Sequence, residues 1–145
     1  MQIRLSTPDE RDSLVAIWRS AVEATHTFLS AQDIESIEPI VRDMALVHLE
    51  VWVLCEHDTP IGFMGLEGNK VEALFIAPAH AGKGGGRRML AHARALKGPL
   101  FVDVNEQNPA ATAFYLANGF TIQGRSPIDT EGRPFPLLHL AQAGA

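Results

Sequence analysis

Four of the chain's twelve glycines fall between positions 82 and 86, in Gly82-Lys83-Gly84-Gly85-Gly86. Glycine is costly to order, so such clustering points to a demand of the backbone. Without side chains in the way, successive N–H groups can converge where a helix begins and its partial positive charge gathers, which makes a site for an anion. Lys83, Arg87 and Arg88 add full charges beside it. The natural guest is a pyrophosphate; a flexible turn is the alternative reading. The P-loop pattern is absent, because Gly-Lys is followed by Gly rather than Ser or Thr. The G-x-G-x-x-G pattern also fails, since Gly82-x-Gly84 runs on to Arg87 and Gly84-x-Gly86 to Met89. Asp103 does lie about where the ribose-binding acid of a dinucleotide site would fall, which keeps a nucleotide-binding module as a rival. Other chemistries find no residues. The histidines show no metal spacing and there is no H-E-x-x-H, so no metal is expected. The nucleophile elbow G-x-S-x-G is missing too. Tyr115 is the chain's only tyrosine and Cys55 its only cysteine.

The surrounding elements must hold the loop. Met1 to Leu5 reads as a first strand. Thr7-Pro8-Asp9-Glu10 reads as a helix start with a capping box. Leu14, Val15, Ile17, Trp18, Ala21 and Val22 then recur at helical spacing. Ser30 opens a second helical stretch, which Pro39 is expected to break or bend. Val51 to Glu56, Ile61 to Leu66 and Val71 to Ile76 form a meander, turning at His57-Asp58-Thr59-Pro60 and at Glu67-Gly68-Asn69. After the glycine loop come a helix from Arg87 to Lys97, a buried strand from Leu100 to Val104 and a helix from Asn108 to Asn118, stopped by Gly119. Strands at Phe120 to Gly124 and Pro136 to Ala141 close the chain. The order β-α-α-β-β-β-α-β-α-β-β implies a single α/β domain over residues 1–145. Its mixed sheet is mostly antiparallel, has one parallel crossover pair and carries helices on both faces.

These features resemble the GNAT family of N-acetyltransferases. Its loop motif is a strand, then Arg or Gln, two residues, Gly, one residue, and Gly or Ala. Leu74-Phe-Ile-Ala-Pro78 and Gly82-Lys-Gly-Gly-Gly86-Arg87 supply the strand and the glycines; Ala81 stands where the family usually has Arg or Gln, with His80 or Lys83 as compensating groups. A second family motif, N-x-x-A-x-x-F-Y-x-x-x-G-F, is matched by Asn108 to Phe120. The resemblance extends to a narrower group within the family through Ala24-Thr-His-Thr-Phe-Leu-Ser30, Val104-Asn-Glu-Gln-Asn108 and Pro136-Leu-Leu.

The resemblance implies acetyl transfer from acetyl-CoA to a primary amine, of a small molecule or a peptide, by direct attack in a ternary complex. The amine must lose a proton, the carbonyl oxygen needs a donor, and the thiolate benefits from a proton. Tyr115 then becomes the acid. Glu72 becomes the leading base, with a base acting through ordered water equally compatible with the resemblance and a solvent-facing strand glutamate as its plain alternative. Alternation groups Glu72 with Leu74 and Ile76, and a bulge would shift that parity. The resemblance implies strands that splay apart for the cofactor, offering backbone N–H groups of Leu74, Phe75 and Ile76 on one side and Asn105 and Asn108 on the other. Asn108 is equally suited to be only a helix cap. The pyrophosphate would rest on Gly82, Lys83, Gly84, Gly85, Gly86 and Arg87. The acceptor would meet Ala24 to Ser30, with His26, Phe28 and Trp18 lining it and the last hairpin, Arg125 to Leu138, closing the other side. His26 serves there as a substrate contact or second base, or as an ordinary capping histidine. A sensor that keeps the loop and loses the chemistry is the second hypothesis. The family often pairs through its sheet, so a homodimer is among the expected assemblies.

Composition bounds the rest. With 145 residues the chain makes one domain able to bury a core without metal or disulfide. The net charge of −5 argues against nucleic acid as a partner. No apolar run reaches a membrane span and the N-terminus has no apolar h-region, so a cytoplasmic protein is expected. Residues 61–97 carry the cations Lys70, Lys83, Arg87, Arg88, Arg94 and Lys97 against two acids, Glu67 and Glu72. A local basic cluster in an acidic protein suits a small polyanion, or else makes a solvated helix face. The acidic excess before residue 61 favours a cationic acceptor. Cys55, within an apolar run, reads as core.

Overall fold

The computed structural model describes all 145 residues. Strand β1 (Gln2–Leu5) leads through a 3-10 turn (Pro8–Glu10) into α1 (Arg11–Thr25). The expected capping box is formed at Thr7 and Glu10, the Thr7 N–H donating to Glu10 Oε1 at 2.9 Å. Helix α2 (Ala31–Ile40) is capped by Ser30, whose hydroxyl accepts from the Asp33 N–H at 3.0 Å. Pro39 does not break it. The chain runs past Pro39 into one π-helical turn (Val41–Ala45) and a short α3 (Leu46–His48).

The meander is β2 (Glu50–Glu56), β3 (Thr59–Glu67) and β4 (Lys70–Ile76). The first turn is tighter than expected. Glu56 pairs with Thr59, leaving a two-residue loop in which His57 and Asp58 have φ of 51° and 65°. Two positive φ values are what a type I′ hairpin requires. Thr59 and Pro60 therefore belong to β3, Pro60 beside an irregularity in the register, where a missing N–H costs least. Then follow α4 (Gly85–Lys97), β5 (Phe101–Asn105), α5 (Pro109–Ala117), β6 (Phe120–Ser126) and β7 (Leu137–Gln142).

The seven strands lie in the order β1-β2-β3-β4-β5-β7-β6, and only β4 and β5 run parallel. Both faces are covered. Met89, Leu90 and Ala93 of α4 and Tyr115 of α5 pack with Leu54, Met64 and Val102 on one face. Leu14, Ile17, Trp18 and Val22 of α1 and Ile34 of α2 pack with Val53, Cys55 and Phe63 on the other. Cys55 is a buried free thiol. No helix is long and apolar enough to cross a membrane.

Candidate active site

The parallel pair is short. Lys70 faces Phe101 and Val71 faces Val102; beyond them β4 and β5 share no pairing. Beyond Val71 that edge of β4 therefore has no strand partner. The gap is a cleft of about 520 Å³, lined by Glu72 to Ile76, Val102 to Asn105, Asn108 and Tyr115. A second cavity, of about 490 Å³, carries the glycine loop and shares Leu74, Ile76, Ala81, Gly82, Phe114 and Tyr115 with the first. The two make one continuous groove.

A bulge sets what β4 shows to it. Leu66 pairs with Val71 and Gly65 with Ala73, so Glu72 is the extra residue. Val71, Leu74 and Ile76 consequently share the α4 face, while Ala73, Phe75 and Ala77 share the α1 face. Glu72 is released from both cores and lines the cleft.

The loop glycines answer to separate demands. Gly84 has φ of 79°, the left-handed region, and N-caps α4. A Cβ on Gly85 would come within 2.7 Å of Leu54 Cδ2, and one on Gly86 within 2.9 Å of Phe114 Cζ. The backbone N–H groups of residues 82–87 find no acceptor in the chain. Of the basic cluster, Lys70 and Lys97 are paired with carboxylates and Arg94 donates to Gln142 Oε1 at 2.8 Å. Lys83, Arg87 and Arg88 are exposed and unpaired, and they flank the glycines. His80 also lines this end, its Nδ1 3.3 Å from Glu56 Oε2 without hydrogen-bond geometry. Ala81 lines the groove but offers no polar group.

Helix α5 brings the other wall. Tyr115 is 8% exposed, with its ring against Phe114 and Phe120 at 5.2 and 5.3 Å between centroids. The residue lines both cavities beside Phe114, and its hydroxyl makes no hydrogen bond within the chain. Burial pushes its pKa well up, so it stays a proton donor at any working pH. Asn108, 6% exposed, combines the two readings open for it. Its Oδ1 accepts from the Ala111 N–H at 3.1 Å as a cap, and the residue lines the cleft. Asn105 also lines the cleft, its Oδ1 accepting from the Gln107 N–H at 2.9 Å.

A row of polar side chains crosses four strands on the α1 side. Lys70 Nζ lies 3.2 Å from Glu72 Oε1 and 2.9 Å from Asp103 Oδ2. Asp103 Oδ1 is 2.6 Å from His139 Nδ1, and His139 Nε2 is 2.6 Å from Ser126 Oγ. Burial pushes Asp103 up, yet hydrogen bonds from His139 and Lys70 outweigh it and hold the carboxyl below its ordinary value. Sequence reasoning weighed Asp103 only as a ribose ligand and passed over His139 and Ser126, although a cleft-lining carboxylate stands here. The available signal was alternation, since Asp103 and His139 face opposite ways from Val102, Val104, Leu138 and Leu140.

The expected acceptor residues separate. His26 lines the cleft; its ring centroid is 5.4 Å from Phe28 and 6.4 Å from Phe75. Phe28 in turn meets Phe135, at 5.9 Å, which comes from the β6–β7 connection and was not singled out in the sequence. Trp18 is a correction. It is 3% exposed and sits in the core between α1 and the sheet, because it belongs to the helix's apolar stripe.

A sheet parted at its one parallel pair, beside a helix whose glycine-built start is ringed by unpaired cations, is the architecture of an acyl-CoA-dependent N-acyltransferase. Residues 48–122 match the acetyltransferase (GNAT) domain model, and the chain belongs to the GNAT family of acetyltransferases. It is 45% identical over 146 residues to the peptidyl-lysine N-acetyltransferase YjaB of Escherichia coli (strain K12), covering 100% of this chain and 99% of that one. The solution structure of apo-form YjaB from Escherichia coli superposes with a TM-score of 0.90 at 46% identity, over 99% of this chain and 98% of that one. At the level of fold, the PaiA N-acetyltransferase of Thermoplasma acidophilum in complex with coenzyme A follows with a TM-score of 0.77 at 19% identity, covering 98% and 99%.

Proposed function

We propose that this acetyltransferase passes the acetyl group of acetyl-CoA to the ε-amino group of a peptidyl lysine. The observation that carries the reading is the unpartnered hydroxyl of buried Tyr115 at the junction of the glycine loop and the parted strands. The N–H groups of residues 82–87, with Lys83, Arg87 and Arg88, would hold the pyrophosphate. The free edge of β4 at Leu74, Phe75 and Ile76, with Asn105 and Asn108 opposite, would hold the pantetheine arm. On that placement the lysine nitrogen attacks the thioester carbonyl carbon, the C–S bond breaks, and Tyr115 gives its proton to the departing sulfur.

The preference for a lysine side chain over a compact amine rests on the relative's activity and on the acceptor end. His26, Phe28, Phe75 and Phe135 form an aromatic approach that suits a chain of methylenes. Glu72 and Asp103 stand beyond it to attract the ammonium. Before attack the ammonium must lose a proton, and the cleft offers two groups for it, the Glu72 carboxylate and the His26 imidazole. The test is thiol release from acetyl-CoA with N-terminally blocked lysine peptides, free amino acids and polyamines in parallel, with the acetylated atom located by mass spectrometry. Turnover is expected on the lysine peptides. Turnover confined to small amines would refute the acceptor assignment, and binding of acetyl-CoA without turnover on any amine would favour the sensor.

A further inference from the structure

The hydrogen bonds around His26 fix its tautomer. Thr25 Oγ1 lies 2.8 Å from the Ala21 carbonyl oxygen, which can only accept, so the threonine hydroxyl gives its one hydrogen there. The same oxygen lies 2.8 Å from His26 Nδ1. Its hydrogen already used, Thr25 must accept, and Nδ1 must carry the proton. In a neutral ring, Nε2 is then a bare lone pair. Its one hydrogen-bond contact is Asn108 Nδ2, a donor, at 3.4 Å, long for a hydrogen bond. The ring is thus anchored at one nitrogen, and the other is a weakly held acceptor in a residue that lines the cleft with Tyr115 and Leu74.

Glu72 is differently placed. Its carboxylate is held by the Lys70 ammonium at 3.2 Å, and Lys70 also serves Asp103. Taking a proton there would set a neutral acid against a fixed cation. The charged groups that line the cleft with His26 are Glu72 of β4 and Asp103 of β5, both paired with Lys70, and Tyr115 of α5 lines it too; Phe28 and Phe75 pack near the ring.

We propose that His26 Nε2, and not Glu72, is the base that takes the ammonium proton of the acceptor lysine, with Thr25 as the residue that positions the ring. This rests on the transfer reading given above. Burial holds His26 below the ordinary histidine value, so the imidazole is neutral and ready near pH 7. A free lysine ammonium has a pKa of about 10.4, so transfer to Nε2 is uphill and is drawn forward as the imidazolium passes its proton to water and the free amine attacks. The protons balance. The ammonium gives one to Nε2, and the imidazolium passes it to water. As the new amide forms, its nitrogen loses a second, matched by the one Tyr115 gives to sulfur and recovers. One proton leaves per turnover and one stays on the CoA thiol.

The test has two arms. In the first, 15N-detected spectra of the imidazole-labelled wild type at pH 8 should show His26 as the Nδ1–H tautomer; an Nε2–H tautomer would overturn the assignment whatever the activity. In the second, kinetics with acetyl-CoA and a blocked lysine peptide, His26→Gln should lower kcat at least about 100-fold with the KM for acetyl-CoA within twofold. Free imidazole should restore turnover to His26→Ala. Full kcat in His26→Gln, or loss of the acid limb of the pH profile in Glu72→Gln while His26→Gln keeps it, would move the base to Glu72. A wild type inactive on every amine would refute the transfer reading itself, and the base would fall with it.

Discussion

Replacing Tyr115 with phenylalanine separates chemistry from structure unusually cleanly here. The ring is wedged between Phe114 and Phe120, and phenylalanine keeps those contacts. The lost hydroxyl has no partner in the chain, so its removal strands no buried donor or acceptor. Stability should change by no more than about 0.5 kcal/mol, a melting shift of roughly 1–2 °C. The leaving thiolate, however, loses its proton source, and general-acid contributions run to about 10²–10⁴-fold, or roughly 2.7–5.4 kcal/mol of barrier. The assay is thiol release from acetyl-CoA at saturating peptide, with the KM for acetyl-CoA expected within about twofold, because an interaction made mainly in the transition state changes kcat. Since burial raises the phenol's pKa, the wild type should show no alkaline loss of rate from Tyr115 ionisation below its ordinary value of about 10. Turnover of the Phe variant within threefold of wild type would remove Tyr115 from the acid role. A large melting loss would show that the hydroxyl is a structural group after all.

Further outcomes follow from other parts of the structure. Gly84→Ala keeps open space around the new methyl but puts alanine at a φ of 79°; it should cost about 1–2 kcal/mol by denaturant melts and weaken acetyl-CoA binding measured by calorimetry, and unchanged binding would count against the loop as the phosphate site. Gly86→Ala drives a methyl into the Phe114 ring, at 2.9 Å, so that ring must move within the groove wall; it should lower melting temperature and cofactor affinity together. Lys70→Met leaves Glu72 and Asp103 facing each other without their shared cation; a loss of roughly 1–3 kcal/mol is expected, and it should shrink as pH falls and the acids protonate. Glu10, hydrogen-bonded by Arg4 at 2.6 Å, has its folded pKa lowered to about 2. A lowered acid contributes stability that is present above its unfolded pKa, near 4.3, and is lost as pH falls toward about 2. Glu10→Gln should therefore flatten the acid limb of the stability curve in that window, and an unaltered limb would mean that the pair contributes nothing.

The loop and the order of elements could be read from the chain because each rests on local chemistry. Clustered glycines announce a backbone demand, and the apolar stripe of α1 announces a buried face. The same stripe contains Trp18, so helical spacing alone would have sent it to the core rather than to the acceptor pocket. The row from Lys70 to Ser126 was hidden for a different reason. Its members come from four strands, and β7 lies between β5 and β6, so the last hairpin enters the sheet out of chain order. No local pattern indicates that His139 will sit directly opposite Asp103. The resemblance set the last hairpin, Arg125 to Leu138, against the acceptor end, but nothing in the sequence singled out Phe135 within it as the residue that meets Phe28. The bulge at Glu72 was anticipated only through the family resemblance, and it decides which face every later residue of β4 shows.

The most direct measurement of the central claim is a thermal-shift titration of the wild type with acetyl-CoA, CoA and NAD in parallel. A ligand at 100 times its dissociation constant adds about 2.7 kcal/mol, which for a domain of this size raises the melting point by roughly 5–10 °C. Such a rise with both CoA ligands, absent with NAD and reduced in Gly84→Ala at the same ligand concentrations, is the predicted result. A rise with NAD alone, or none with either CoA ligand, would contradict the account.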